Sequence, residues 1–249
     1  MRLLALLIST AAWVSSSAFM GITAHYEEQL RLYQVDLETG ACDFLFDSPI
    51  SSFDAIGYHH SGNVVFATNS QGLFNLNFNQ LVVSYPEFTL PFTVEADLAS
   101  GEPNEEDIMY LSRRGSLRPG DPVGPTELYR IDRRNHTVEF VGQDSYGDSN
   151  LAISDNGVGK PNAAYSADFL TKTLYRVDLT TGQAKPIASL GDVPDLQGAY
   201  TSFAPDGTLY YAATDPTQKD AGVWYTIDIE TGQATLGGHM FYNGFPNAP

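Results

Sequence analysis

The chain has 249 residues and a formal net charge of −17 at pH 7, because 30 aspartates and glutamates stand against 13 lysines and arginines. A surface this acidic repels phosphate backbones, so nucleic acid is excluded as an expected partner. The length is enough for one domain with a sizeable core or for one closed array of repeats.

The N-terminus has the composition of a secretory signal peptide. Arg2 is followed by an apolar run at residues 3–8, and small residues precede an expected cleavage after Ala18. The run is too short to span a bilayer as a stable helix, and no later stretch is long enough. We therefore predict a signal peptide over residues 1–18 and a secreted, extracellular domain over residues 19–249 without a membrane span. A retained signal anchor is the alternative.

One nine-residue pattern, Leu-Tyr-x-Val-Asp-x-x-Thr-Gly, recurs along the chain. It stands, intact or nearly so, at residues 32–40, 174–182 and 224–232, and in degraded form at residues 73–79 and 128–136. Repeats spaced by about 40–55 residues, each a strand followed by a turn, are typical of a propeller array. Between these copies, β-branched and aromatic residues alternate with polar ones, and no helical periodicity is sustained, which predicts short strands throughout.

Each repeat is predicted to hold four antiparallel strands, counted from the inner strand beside the central channel to the outer strand. In the last complete repeat they are expected at residues 198–203, 208–214, 223–228 and 233–236. Asp206 and Gly207 supply the dihedral angles of the tight turn between the first two. The inner strands of the earlier repeats are expected at residues 53–58, 94–98 and 151–153.

The two ends of the chain are predicted to share one further repeat. Residues 19–24 would form its second strand and residues 241–245 its inner strand, so that the closed array exposes no sheet edge. About 46 residues per repeat lies within the usual propeller period. We therefore predict an all-β fold, a five-bladed β-propeller of four-stranded antiparallel blades closed by the N- and C-terminal strands in one shared blade. Six blades, with a repeat hidden in residues 79–127, are the alternative.

Two of these segments resemble known repeats. Phe-Asp-Ala-Ile-Gly-Tyr at residues 53–58, followed by a turn and Val-Val-Phe-Ala at residues 64–67, resembles the repeat of a family of secreted fungal β-propellers of unknown function. The Leu-Tyr-x-Val-Asp-x-x-Thr-Gly element is similar to repeats in YVTN-type propellers. The resemblance covers essentially all of residues 19–249. It implies a propeller fold in an exported fungal protein and carries no assigned chemistry.

The repeated aspartate of the pattern is predicted to be part of the scaffold. Its carboxylate can accept backbone N–H groups in the hairpin that follows, while the glycine takes a positive φ. Copies on separate blades cannot converge on one substrate; they are Asp36, Asp132, Asp178 and Asp228. Cys42, the single cysteine, begins an apolar strand and is expected to be a small buried hydrophobic residue, with a catalytic thiol as the alternative.

A second recurring feature is a polar residue near the start of each predicted inner strand. Because inner strands line the channel, five such side chains at one level would form a ring of oxygen-bearing groups. The predicted ring consists of Asp54, Glu95, Asn150, Gln197 and Asn243. Two carboxylates and three amides suit a small polar ligand or a hard cation such as Ca²⁺. A hydrated channel, closed by water-bridged hydrogen bonds, is the alternative, and no other cofactor is predicted.

Two features outside the ring complete the list of candidate site residues. A loop at residues 113–125, rich in proline and glycine, is expected above the ring as a lid or an anion contact, with an ordinary insertion as the alternative. Its arginines are Arg113, Arg114 and Arg118. Asn135, in the tripeptide Asn-His-Thr, is a predicted N-glycosylation site at a hairpin tip.

Sequence motifs of common catalytic sites are absent: the chain contains no Gly-x-Ser-x-Gly, no His-Glu-x-x-His, no phosphate-binding loop and no dinucleotide fingerprint. We therefore predict a monomeric, non-catalytic propeller that binds a small ligand, a glycan or an extracellular protein at the mouth of its channel. The alternative is a hydrolase, either lactonase-like with a metal or glycosidase-like with Asp54, Glu95 and Asp97 as acid and base. The hydrolase hypothesis rests on fold analogy alone.

Overall fold

The computed structural model describes most of the predicted strands and the turns between many of them. The described residues are 3–8, 19–26, 29–36, 39, 41–47, 55–59, 64–69, 72–77, 82–83, 89–90, 96–100, 108–114, 125–144, 151–153, 163–168, 171–194, 200–203, 207–214 and 221–242. Within these ranges the regular secondary structure is entirely β-strand. No helix in them is long and apolar enough to cross a membrane.

Strands that follow one another in the chain pair antiparallel, so the described strands form consecutive groups. The first two groups are β1 (Leu3–Ile8), β2 (Phe19–Tyr26), β3 (Gln29–Asp36) and β4 (Ala41–Asp47), then β5 (Ala55–His59), β6 (Val64–Asn69), β7 (Gly72–Asn77) and β8 (Val82–Val83). The third is β9 (Ala96–Ser100), β10 (Ile108–Arg114), β11 (Thr126–Asp132) and β12 (Thr137–Asp144). The last two are β13 (Ala163–Asp168), β14 (Thr173–Asp178) and β15 (Ala184–Ser189), then β16 (Tyr200–Phe203), β17 (Leu209–Thr214), β18 (Ala221–Ile227) and β19 (Ala234–Tyr242).

The first and last groups join into one eight-stranded sheet, in the order β1-β2-β3-β4-β19-β18-β17-β16. The junction is parallel: Phe241 and Tyr242 of β19 are Cα partners of Ala41 and Cys42 of β4. The three groups between them are separate sheets. In the three-stranded sheet β13-β14-β15, Ala152 adds an antiparallel bridge to Tyr165 at the place of the predicted inner strand.

The first strands of the groups lie next to one another, as the inner strands of a propeller do. β1 lies beside both β5 and β16, and β5 lies beside β9. Apolar side chains fill the space between neighbouring sheets. Tyr165 of β13 packs edge-on against Phe203 of β16, with 5.7 Å between ring centroids, in a cluster that also buries Leu174 and Tyr211 completely. Burial of this apolar surface between sheets is the main favourable term of folding.

The hairpin that follows each third strand is built as predicted. Asp178 Oδ1 accepts the backbone N–H of Thr180 at 2.7 Å and of Thr181 at 3.2 Å, and Gly182 has a φ of 70°. Asp228 Oδ1 accepts two backbone N–H groups in the same way. Asp36 and Asp132 each accept the backbone N–H three residues on, at 3.0 Å. The scaffold role predicted for these four aspartates is therefore confirmed.

A β-bulge stands at the same place in the outer hairpin of four groups. The register with the outer strand shifts by one residue between the first two residues of the repeat pattern, at Leu32/Tyr33, Leu128/Tyr129, Leu174/Tyr175 and Trp224/Tyr225. The residue left without a Cα partner is Val141 in β12 and Gly237 in β19. Gly237 has no alternative, because a Cβ there would occupy the position of the Trp224 indole ring. Bulges bend a strand and increase its twist, which curves the outer rim.

Just beyond the bulge, each outer strand receives the turn of the next group. Gly142 of β12 lies against Gly182, so closely that a Cβ at position 142 would collide with the backbone of Thr181. Ala184 N–H donates to Asp144 Oδ2 at 2.8 Å across the same junction. One group further on, Gly232 lies against Ala188, and Ala234 N–H donates to the carbonyl of Leu190 at 3.4 Å. The parallel pairing of β4 with β19 occupies the corresponding place between the last and first groups.

The C-terminal closure predicted from the sequence is wrong for Phe241 and Tyr242. Both residues continue outer strand β19 instead of forming an inner strand, and the rest of residues 241–245 lies outside the described residues. The physical reason is that the inner edge of β2 already has an antiparallel partner, β1. Strand β1 comes from residues that the sequence assigns to the signal peptide, whose removal stays a prediction.

Candidate functional site

Two neighbouring inner strands define the edge at which we looked for a site. β5 begins at Ala55 and β9 at Ala96, directly after Asp54 and Glu95. Each inner strand begins opposite the end of its second strand, since Ala96 is the Cα partner of Arg113 near the end of β10. Because the groups repeat one strand order, the inner-strand starts of a propeller lie on one face. We call it the strand-start face, defined by Ala55, Ala96 and Arg113.

The predicted ring itself lies outside the described residues. This applies to all five of its members: Asp54, Glu95, Asn150, Gln197 and Asn243. What the structure describes is the strands that follow three of them, because β5, β9 and the bridge at Ala152 come within two residues of Asp54, Glu95 and Asn150. The ring therefore stays a prediction, now attached to strands whose positions are known.

The predicted lid loop is shorter than the sequence suggested. Arg113 and Arg114 are the last residues of strand β10, paired with Glu127 and Thr126 of β11, and so do not belong to a loop. Their place follows from the antiparallel register, which the proline- and glycine-rich composition of the following residues obscured. Arg118 lies outside the described residues. An arginine held in a strand has a fixed position, whereas a mobile lid requires freedom.

Arg113, Glu127 and Tyr129 form a polar cluster on the strand-start face. Arg113 Nη1 lies 3.3 Å from Glu127 Oε2, and the Tyr129 hydroxyl donates to the same oxygen at 2.9 Å. Glu127 and Tyr129 are two residues apart in β11, so their side chains share one face of the sheet. The side chains of Arg113 and Glu127 are 27% and 25% exposed, which leaves one side of the pair open to solvent.

The environment of this cluster keeps its tyrosine protonated. Partial burial, followed by the hydrogen bond to Glu127, raises the pKa of Tyr129, while Arg113 opposes this shift. A hydroxyl with a raised pKa is a hydrogen-bond donor at every physiological pH. The carboxylate therefore has two donors already fixed, a guanidinium and a phenol, and the cluster can present both charges to a polar ligand without rearranging.

Further polar groups at this end of the sheets are buried. Ser112 and Thr126, which neighbour the ion pair in sequence, are almost completely buried. Asp168 stands at the corresponding end of β13 and is also fully buried; its carboxylate accepts the Thr171 N–H at 3.2 Å and the Thr171 hydroxyl at 2.6 Å. Asp168 therefore fixes the following turn. The sequence contained one signal for the ion pair, opposite charges on the two sides of a single long connection.

Metal binding has no support from the described side chains. In the ranges given above, no three histidine, cysteine, aspartate or glutamate side chains come close enough to hold a metal ion. A calcium site would therefore have to use the ring residues, of which two are carboxylates and three are amides. That set of oxygen donors suits Ca²⁺ in chemical terms.

Two residues away from this face were also singled out in the sequence. Asn135 lies exposed in the turn between β11 and β12, as expected, and its Nδ2 donates to Asp132 Oδ2 at 2.9 Å. Its glycosylation stays a prediction. Cys42 is buried and forms no disulfide, and burial, followed by the charge of Asp43, raises the pKa of its thiol to about 12. A thiol that stays protonated is a poor nucleophile, which agrees with the expected role as a core residue.

Comparison by sequence finds no matching family model and no matching curated protein. Comparison by structure finds a calcium-binding protein, regucalcin, from Agrobacterium tumefaciens, with a TM-score of 0.52 and 15% identity over 91% of this chain and 71% of that chain. A chain of a nidogen/laminin complex has a TM-score of 0.56 and 12% identity over 90% of this chain and 75% of its own. A gluconolactonase from Xanthomonas campestris has a TM-score of 0.50 and 14% identity over 96% and 85%.

These three structures are β-propeller-like, so the likeness establishes the class of fold: the chain is an all-β, propeller-like protein built from antiparallel sheets. At 12–15% identity the likeness extends to the fold alone. One neighbour is described by calcium binding, one by a protein complex and one by lactone hydrolysis, so the fold does not select among these functions.

Proposed function

We propose that this protein is a five-bladed, closed β-propeller that binds a small polar ligand, such as a sugar, on its strand-start face. In this proposal the ring of Asp54, Glu95, Asn150, Gln197 and Asn243 forms the floor of the site. The protein is secreted and monomeric, and it acts by binding. A glycan carried by another extracellular molecule would be recognised by the same groups.

The observation that carries the proposal is the polar cluster beside the ring. Arg113 is the Cα partner of Ala96, the residue that follows Glu95 of the ring. Its ion pair with Glu127, supplemented by the Tyr129 hydroxyl, is three-quarters buried and preassembled at the mouth of the expected channel. Preformed, partly desolvated hydrogen-bonding groups in a concave site are what fixes the orientation of a small polar ligand.

The test is a thermal-shift and calorimetric screen of the full chain against monosaccharides, sugar acids and lactones, with and without Ca²⁺. Binding should raise Tm in proportion to ligand concentration and affinity. The variants Glu127→Gln and Asp54→Asn should each weaken binding of the best ligand by about tenfold or more, since each removes a charge-assisted hydrogen bond.

The matched control is a second ion pair in the same hairpin. Arg130 Nη1 lies 3.7 Å from Glu139 Oε2 near the opposite end of β11 and β12. The variant Glu139→Gln should leave ligand affinity unchanged. Equal losses in Glu139→Gln and Glu127→Gln would contradict the placement of the site, and a screen in which no ligand shifts Tm would contradict small-ligand binding altogether.

The same screen distinguishes binding from hydrolysis. Chromatography of the sugar and lactone mixtures after incubation with the protein should return them intact if the protein only binds. Turnover that disappears in the Asp54→Asn or Glu95→Gln variants would instead assign acid–base chemistry to the ring carboxylates. Turnover that requires Ca²⁺ would assign lactonase-like metal chemistry.

A further inference from the structure

The N-terminal strand occupies the inner edge of the first group. β1 pairs with β2 through six consecutive Cα partners, from Leu3↔Ala24 to Ile8↔Phe19. The other edge of β2 pairs with β3 along its whole length. β1 is therefore the only described strand that covers the inner edge of β2.

The place of β1 is also enclosed on both flanks. β1 lies beside β5 on one side and beside β16 and β17 on the other, so it fills the gap between the inner strands of the neighbouring groups. Its sequence, Leu-Leu-Ala-Leu-Leu-Ile, is apolar at every position. An extended segment without charge, inserted between two sheets, is the kind of strand that both faces of the gap can bury.

The chemistry of the N-terminus conflicts with a permanent role for this strand. Arg2, the apolar run and the small residues up to Ala18 are the features by which a signal peptide is recognised and removed. β2 begins at Phe19, directly after the expected cleavage point. Cleavage there would leave β2 in place and expose the N–H and C=O groups of its inner edge, and such an edge is a template for pairing with another chain.

We propose that the inner edge of β2 is a strand-acceptor site for an extended apolar peptide, and that Leu3–Ile8 is its ligand within the full-length chain. The added peptide pairs antiparallel with residues 19–24, as β1 does, and buries its side chains between β5 and β16. Main-chain hydrogen bonds supply affinity in this mode of recognition, and the flanking pockets select apolar side chains. The inference rests on the strand pairing and is independent of ligand binding on the strand-start face.

The test uses the full chain with a specific protease site inserted among residues 9–18, between β1 and β2. The chain is folded, cut at this site and mixed with a fluorescent peptide corresponding to residues 1–10. We expect the labelled peptide to exchange into the site, with a rise in anisotropy that excess unlabelled peptide reverses. A control peptide carries proline in place of Leu4 and Ala5. Two consecutive prolines remove backbone N–H groups whichever of the alternate pairs is hydrogen-bonded, so its affinity should fall by about tenfold or more.

Hydrogen exchange supplies a second readout on the uncut chain. The amides of residues 19–24 should be protected, and the variants Leu4→Pro and Ala5→Pro should increase their exchange while β17 and β18 stay protected. If the cut chain unfolds, added peptide should restore its β-sheet circular dichroism. Equal binding of the proline peptide, failure of the labelled peptide to bind or to restore the fold, or unchanged exchange in the proline variants would each overturn the proposal.

Discussion

At the scale of single residues, the aspartate at the end of each third strand decides how the chain turns. Asp178 accepts two backbone N–H groups and the Thr180 hydroxyl in a three-residue span. Hydrogen bonds to the charged form stabilise it, so the bonds from Thr180 hold the pKa of Asp178 below its usual value. The pKa of Asp228 is lowered for the same reason, with the Thr231 N–H as its main cause.

The variant Asp178→Asn should lower the free energy of unfolding at pH 7 by about 0.5–1 kcal/mol, a modest amount because water competes in this exposed turn. A carboxyl whose pKa is lower in the folded state stabilises the fold fully above its unfolded pKa and loses this effect as pH falls through the folded pKa. The difference between wild type and variant, measured by urea unfolding, should therefore be constant from pH 7 to about pH 4 and shrink below it. Asp192→Asn, in an exposed position outside these turns, is the control. A difference that grows on acidification would contradict the assignment.

Asn135 gives a second prediction at this scale. Expression through a eukaryotic secretory pathway should add a glycan to Asn135, because the acceptor tripeptide lies in an exposed turn. Mass spectrometry should show a mass above that of the chain, which a glycosidase removes. Asn135→Gln and Thr137→Ala should both abolish it, whereas His136→Asn, which keeps the acceptor tripeptide, should retain it. An unmodified wild-type chain from such a host would refute the prediction.

Residue-level predictions from the sequence succeeded where the chemistry is local. An aspartate, a threonine and a glycine within five residues specify a turn by themselves, and the turns after Asp178 and Asp228 have that geometry. The Arg113–Glu127 pair was missed because fourteen residues separate its members. It exists only through the register of β10 against β11, which no local pattern reveals.

At the scale of elements, the junction between groups depends on the absence of side chains. Gly142 lies on the backbone of Thr181 and Gly182, and Ala188 stands at the equivalent position one group later. A small residue in an outer strand and a glycine in the next turn allow two backbones to approach closely. The bulge just before this position bends the outer strand toward the turn it receives.

The variant Gly142→Ala should therefore lower the free energy of unfolding by about 1–3 kcal/mol, since the new methyl group meets rigid backbone. Gly238→Ala is the matched control at the same position of β19. Its Cβ would lie 3.2 Å from the Trp224 indole nitrogen, so the change should stay within about 1 kcal/mol. Chemical denaturation of both variants measures the difference. Equal effects would show that the junction tolerates a side chain.

Element boundaries were predictable from alternation and turn residues, because the strands are short and bounded by glycine and aspartate. The inner strand of the first group was not. Its residues are continuously apolar, and continuous apolarity fits a signal peptide as well as a buried strand. A strand that is buried on both faces lacks the alternation that marks the exposed hairpins, such as β11 and β12.

At the scale of the whole molecule, the seam between β4 and β19 joins the two ends of the array. Cys42 lies in this seam, buried, with Tyr242 as its parallel partner. Because burial raises the pKa of its thiol to about 12, Cys42 should not react with thiol reagents near neutral pH while the seam is closed. The thiol thus serves as a reporter of closure in the unmodified protein.

The variant Tyr242→Pro should open the seam, because proline cannot donate a ladder hydrogen bond. Cys42 should then be labelled by iodoacetamide under native conditions faster than in the wild type by about tenfold or more, while far-UV circular dichroism changes little. Ser189→Pro, at the end of another outer strand, is the control and should not accelerate labelling. Rapid labelling of the wild-type protein would contradict a closed seam.

The parallel seam also has a mechanical consequence. Within each group, neighbouring strands share five or more Cα pairs at most ladders, whereas β4 and β19 share two. Under a load applied across the ring, the bonds of the seam would be the first to rupture, while each hairpin would hold as a unit. Stretched in a force spectrometer, the molecule should therefore yield first at a low force, by opening into a linear chain of intact sheets, and only then extend sheet by sheet.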